Sequence, residues 1–117
     1  MKKRIEDLTV IENRKLNEQF FVLTVSSAVP LPVILPGQFV QALVKDSPST
    51  FLRRPLSVHD VDELKNSISI LVQIAGSGTE SLSRLNSGDT LNLVYPLGNS
   101  FTLPSPGEKI LLTGGGC

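Results

Sequence analysis

Three short stretches of this chain combine residue types at spacings that can do chemistry. In Arg54-Pro55-Leu56-Ser57 an arginine precedes a run of strand character, with Pro55 fixing φ between them. A guanidinium at Arg54 can clamp a phosphate through two parallel hydrogen bonds. Three residues on, Ser57 offers a hydroxyl and a backbone amide to the heteroatoms of a planar ring. Taken alone, the stretch reads equally as a surface arginine pair, Arg53 and Arg54, before an ordinary strand. The second stretch is Ala75-Gly76-Ser77-Gly78-Thr79, between a strand-like run and a short helical one. Glycines there free consecutive N–H groups to converge on an anion, with Thr79 adding a hydroxyl, and a pyrophosphate is the ligand group that fits. No lysine follows the second glycine, so this is not the Gly-x-x-x-x-Gly-Lys phosphate loop, nor is it the six-residue dinucleotide fingerprint. Its plain structural alternative is a glycine turn with Thr79 as a helix N-cap. The third stretch, Lys109-Ile110-Leu111-Leu112-Thr113 followed by Gly114-Gly115-Gly116, reads as a short apolar strand turning tightly at glycines.

The remaining reactive side chains form no constellation. His59 lies two residues beyond Ser57, on the same strand face by alternation, and a lone strand histidine is ordinarily structural or exposed. Asp60, Asp62 and Glu63 form an acidic turn without metal-ligand spacing. Tyr95 is expected to pack at one end of the fold. Cys117, the single cysteine, excludes an internal disulfide and a cysteine-ligated cluster within these residues.

The elements that must position these groups are mainly strands. The chain has 117 residues, eight of them Pro and nine Gly, enough for one domain of ordinary size with many turns. Eleven basic residues balance eleven acidic ones, which leaves no cationic excess for gripping nucleic acid. No apolar run approaches the roughly 20 residues of a bilayer span, and the N-terminus lacks a signal-peptide core, so a cytoplasmic protein is expected. Short β-branched and aromatic runs over residues 9–13, 18–25, 38–44, 56–59, 67–74 and 90–95 predict six strands. The first two flank a polar turn at 14–17, and the proline-rich stretch from Pro30 to Pro36 reads as a loop. Only residues 79–85, with Leu82 and Leu85 three apart, predict a helix. The fold expected is all-β: a closed six-stranded antiparallel Greek-key barrel with one short capping helix, since closure removes exposed sheet edges. Residues 1–107 are assigned to the barrel, and residues 108–117 to the truncated start of a second, α/β domain.

In order, the chain reads Arg-Pro-x-Ser, then about twenty residues later Gly-x-Gly-Thr before a short helix, then a strand leading into three glycines. In these motifs it resembles the flavin-binding barrel of the ferredoxin–NADP reductase superfamily. It is most similar there to the electron-transfer subunits of class B, NAD-linked dihydroorotate dehydrogenases, which have Arg-Pro-aliphatic-Ser where the wider superfamily places a Tyr two residues after the Arg. Pro96-Leu97-Gly98-Asn99-Ser100-Phe101 also resembles them.

The resemblance implies bound FAD. Arg54 would meet the pyrophosphate, Pro55 and Leu56 would flank the isoalloxazine, and Ser57 would bond near its reactive nitrogen. Leu71, Val72 and Gln73 match the strand along the cofactor, and Gly78 and Thr79 the phosphate turn. It also implies an NAD(H)-binding domain opening at Gly114 and a four-cysteine [2Fe–2S] site farther on in the full-length protein. The implied partner is an FMN-containing catalytic subunit, in a heterotetramer that passes electrons from dihydroorotate to NAD in pyrimidine synthesis. A related reductase subunit of the sulfide dehydrogenase or hydrogenase type shares much of this barrel. A non-enzymatic binding module, with purely structural glycine turns, is the reading from another class.

Overall fold

In the computed structural model, residues 2–45 and 52–115 are described. Gly116 and Cys117, which enter the readings above, lie outside the described residues. The elements run β1 (Arg4–Lys15), β2 (Phe20–Ser26), β3 (Phe39–Ala42), β4 (Arg54–Ser57), β5 (Asp60–Asp62), β6 (Ser67–Gln73), α1 (Ser77–Ser83) and β7 (Thr90–Leu97). Each strand pairs antiparallel with its neighbours in the order β4-β3-β7-β1-β2-β6-β5.

Consecutive strands β4 and β5 stand at opposite edges of this sheet, and the chain between them bridges the two edges without pairing them. Val58 N–H donates to Gln38 O on the β3 side (3.2 Å), and His59 N–H donates to Ser69 O of β6 (2.9 Å). The sheet thereby curls into a barrel. Inward residues alternate along each strand and bury Leu8, Phe21, Leu23, Ile68, Ile70 and Leu93 completely. Leu82 plugs α1 into the same core, and Leu85 packs against it.

The antiparallel barrel with one helix agrees with the sequence reading, but there are seven strands rather than six. The additional one is β5, whose Asp60 and Asp62 read as a solvated acidic turn; backbone pairing with Ser69 and Ser67 makes it a strand despite its charge. β1 continues to Lys15, with a register irregularity between Val10 and Glu12, so the hairpin turn falls later than expected. There Asn17 Oδ1 accepts from the amides of Gln19 and Phe20. β3 is shorter than expected, and α1 starts and ends two residues earlier. The expected strand over 109–113 does not form. Ile110, Leu111 and Leu112 lie 63%, 86% and 89% exposed, with no neighbouring strand among the described residues to satisfy their backbone.

Tyr95 is wholly buried at one barrel end, as its aromatic bulk suggested. Its hydroxyl donates to Glu6 and accepts from Arg4 Nη2 (2.8 Å), while the Arg4 guanidinium lies 5.3 Å from the ring centroid. Burial and then the Glu6 carboxylate push the phenol up to about 12. Arg4 also donates to Pro30 O (3.0 Å) and Glu6 accepts from Ser27, so the cluster ties the start of the proline-rich loop to β1. At the other end of that loop Gln38, 2% exposed, donates from Nε2 to Gly98 O (3.0 Å) and accepts from Leu35 N–H (2.9 Å).

Candidate functional site

The fold brings the first two sequence motifs together. Arg54 opens β4, and Gly78 lies in the first turn of α1, where it is buried. A β-carbon built on Gly78 would stand 2.7 Å from Arg54 Nε and 3.4 Å from its Cζ and Nη2. The guanidinium thus lies directly on the bare glycine backbone, and any side chain at position 78 would displace it. The first hydrogen bond into the helix is Glu80 N–H to Gly76 O, at 2.9 Å, and the amide of Gly78 finds no acceptor among the described residues. Among the described residues the amide of buried Gly78 has no acceptor and the Arg54 guanidinium no carboxylate partner, its Nη1 donating to Leu52 O (3.2 Å), so the two are donors suited to an anion. Both fit the negatively charged oxygens of a pyrophosphate.

Thr79 follows the structural alternative, shaping the turn from the third helical position with Gly76 as the N-cap. Its Oγ1 accepts from the amides of Ala75 (2.8 Å) and Gly76 (3.1 Å) and donates to Gly76 O (3.1 Å). The hydroxyl is therefore engaged in shaping the turn. Gly76 is extended, with φ −173°, and a β-carbon there would meet nothing within 4 Å. Of the two glycines, only Gly78 is held in close approach.

Pro55 and Ser57 face outward on β4, with Leu56 turned toward the core. The β4 strand lies beside β6. Along β6, Leu71 (38% exposed) and Gln73 also face outward, whereas Val72 is 1% exposed and fills the core. Val72 therefore borders any ligand by its backbone alone. The β5–β6 pairing stops at Asp60–Ser69, and Ser69 O accepts from the seam. By strand parity, the backbone groups of Leu71 and Gln73 point the same way, toward β4. No described strand takes them up in a ladder. Pro55, Ser57, Leu71 and Gln73 thus border one open strip running from the barrel seam toward the Arg54–Gly78 corner.

Arg53 is turned elsewhere. Its Nη1 donates to Gln41 O (3.2 Å) and its Nη2 to Asn92 Oδ1 (2.5 Å), while Asn92 Nδ2 donates to Asp7 (2.8 Å). Sequence reasoning missed two residues on β1. Asn13 Nδ2 donates to the carbonyls of Ser83 (2.9 Å) and Leu85 (2.8 Å), and Lys15 Nζ donates to Ser83 O. Nothing in their local sequence marks them, because the contact crosses about seventy positions of chain.

No protein-family model matches the chain. It is 37% identical over 113 residues to the dihydroorotate dehydrogenase B (NAD(+)) electron transfer subunit of Bacillus caldolyticus, covering 95% of this chain and 44% of that protein. It is 43% identical over 82 residues to the subunit of the same name from Desulforamulus reducens, covering 70% of this chain and 31% of that one. The chain therefore spans less than half the length of these relatives. Among solved structures, a NADH-dependent reduced ferredoxin-NADP oxidoreductase superposes with a TM-score of 0.72 and 28% identity, over 81% of this chain and 34% of that one. The ferredoxin reductase of carbazole 1,9a-dioxygenase superposes with a TM-score of 0.77 and 22% identity, over 92% of this chain and 32% of the other. By fold the chain therefore belongs with the ferredoxin reductase-like FAD-binding barrels, and by sequence with the electron transfer subunits of dihydroorotate dehydrogenase B.

Proposed function

We propose that this chain is the FAD-binding barrel of the electron transfer subunit of a cytoplasmic NAD-linked dihydroorotate dehydrogenase. The observation that carries the reading is the Arg54–Gly78 corner: a guanidinium laid on a buried glycine whose amide has no acceptor among the described residues. When bound, FAD supplies the means of exchanging electrons between a two-electron nicotinamide and a one-electron carrier. The protein's part is to bind and orient. Arg54 and the Gly78 amide hold the pyrophosphate, with the turn around them fixed by the Thr79 hydroxyl. Pro55 supports the ring from β4 with Leu56 bordering it by its backbone, and Ser57 presents its hydroxyl to the ring's polar edge. Along the facing strand, Leu71 and Gln73 offer side chains and edge amides, and Val72 its backbone.

The assembly around this barrel is part of the same proposal. Residues 108–117 would open an NAD(H)-binding domain, to which the exposed Ile110, Leu111 and Leu112 would contribute a strand once neighbours are present. In that assembly an FMN-containing catalytic subunit would oxidise dihydroorotate to orotate, and a [2Fe–2S] cluster held by cysteines outside these residues would link it to the flavin in a heterotetramer. The two electrons and one proton would leave as NADH, and the second proton would go to solvent.

Titration of the 117-residue chain with FAD, followed by quenching of flavin fluorescence, tests the binding reading. Saturable binding weakened by Arg54→Ala is expected. Affinity for FAD no higher than for riboflavin would overturn it, since the pyrophosphate would then contribute nothing. The activity reading is tested with a full-length homologous subunit co-expressed with its catalytic partner. Dihydroorotate-dependent reduction of NAD is expected from the complex and none from the barrel alone. A complex shown to hold FAD, FMN and the cluster yet inactive toward dihydroorotate would overturn that assignment and leave the barrel standing.

A further inference from the structure

We infer that Asn13, on β1, is a positioning residue for the phosphate corner; this deepens the FAD reading and rests on it. Helix α1 spans only Ser77–Ser83, and it carries Gly78 at one end. So short a helix has little stability of its own and must be held by tertiary contacts. At its far end the carbonyls of Ser83 and Leu85 both accept from Asn13 Nδ2, at 2.9 and 2.8 Å, and Lys15 Nζ donates to Ser83 O as well. These are carbonyls that the end of a helix leaves without internal partners. Leu82 fixes the middle of the helix in the core, so Asn13 sets its remaining freedom, rotation and tilt about that anchor. Such motion would carry Gly78 off the Arg54 guanidinium.

A second observation indicates that the amide of Asn13 is retained for its donors. Its Oδ1 is buried and has no hydrogen-bond partner among the described residues. A buried acceptor left unmatched is a cost that an apolar side chain would avoid. Both protons of Nδ2 are used, one on each carbonyl, and no other residue type of similar size presents two donors from one planar nitrogen with this reach.

The test measures dissociation constants of the chain for FAD and for riboflavin, which lacks the pyrophosphate, together with the melting temperature of the ligand-free chain. Asn13→Ala is expected to weaken FAD about tenfold and leave riboflavin within about twofold. In an Arg54→Ala background the same substitution should change FAD affinity by no more than about twofold, because a residue acting through the corner is non-additive with it. Equal loss of both ligands, or an undiminished Asn13→Ala effect in the Arg54→Ala background, would make Asn13 merely structural and overturn the inference. FAD binding unaffected by Asn13→Ala would also overturn it, while leaving the FAD reading intact. If Asn13→Ala does not fold, Asn13→Gln carries the test. It keeps the amide but moves both donors by one methylene, and the same FAD-selective loss is expected. An unmodified chain that binds FAD no better than riboflavin would instead remove the reading on which the inference stands.

Discussion

Arg53 donates to Gln41 O and to Asn92 on the barrel wall, whereas Arg54, the next residue, lies over Gly78 with no carboxylate partner among the described residues. Their substitutions should separate. Arg54→Ala is expected to cost FAD binding about 1.5–3 kcal/mol, the range for a hydrogen bond to a charged group, with little change in the melting temperature of the ligand-free chain. Arg53→Ala should spare FAD affinity and cost about 1–2 kcal/mol of stability, its partly exposed setting discounting the lost charged hydrogen bonds. Fluorescence titration and thermal melting of both variants check this, and equal FAD losses would contradict the assignment of the clamp to Arg54. The two glycines separate on the same principle. Gly78→Ala places a β-carbon 2.7 Å from Arg54 Nε, so the guanidinium must swing away and FAD affinity should fall several-fold; Gly76→Ala meets nothing within 4 Å and should leave it unchanged. The corner is legible in the sequence from its motifs taken in order, since each alone has a plain structural alternative, and the Thr79 hydroxyl serves its own turn as that alternative has it. One detail is not legible: Val72 points into the core, because strand parity is set by the fold around it.

Tyr95 joins β7 to β1 through Glu6 and Arg4, and its raised pKa makes that junction sensitive to alkali. Between pH 10.0, the ordinary tyrosine value, and about 12, the unfolded chain has released a proton that the folded chain still holds. Stability therefore falls as pH rises through this window and is unaffected by this group below it. Denaturant unfolding at pH 9, 10, 11 and 12 should show the decline, and Tyr95→Phe should flatten it. The phenylalanine variant starts about 1–2 kcal/mol lower at neutral pH for the lost hydrogen bonds. At this scale the sequence was informative wherever pattern and pairing agree. Phe21, Leu23 and Val25 alternate and form β2, while Leu82 marks the core face of α1 and Leu85 packs against the core just past its end. β5 escaped because Asp60-Val61-Asp62 is too short and too acidic to read as a strand, and it forms only because β6 offers it an edge. Lys109–Thr113 is the converse case, a strand by composition with no partner among the described residues.

The barrel as a whole depends on the seam between β4 and β5, where Val58 and His59 donate to opposite edges. The amide matters there more than the side chain. His59→Pro removes the donor to Ser69 O and should lower stability by about 1–3 kcal/mol, whereas His59→Ala keeps it and, at an exposed position, should change stability by no more than about 0.5 kcal/mol. Thermal melting of the two variants distinguishes these outcomes; equal losses would show that the imidazole carries the seam. The strand order also fixes when the site can exist. β3 and β4, carrying Arg54, join the rest of the sheet through the seam and through β7, while α1, carrying Gly78, is tied to β1. β7 is the last of the described strands, and it pairs with the first across as many as 91 positions of chain. On the ribosome, a nascent chain that has emerged through Asp89 already contains both halves of the phosphate corner but lacks the strand that holds them in register. Until β7 follows, β1 keeps one edge open to other chains, which makes the interval before its release the one in which a chaperone would matter most.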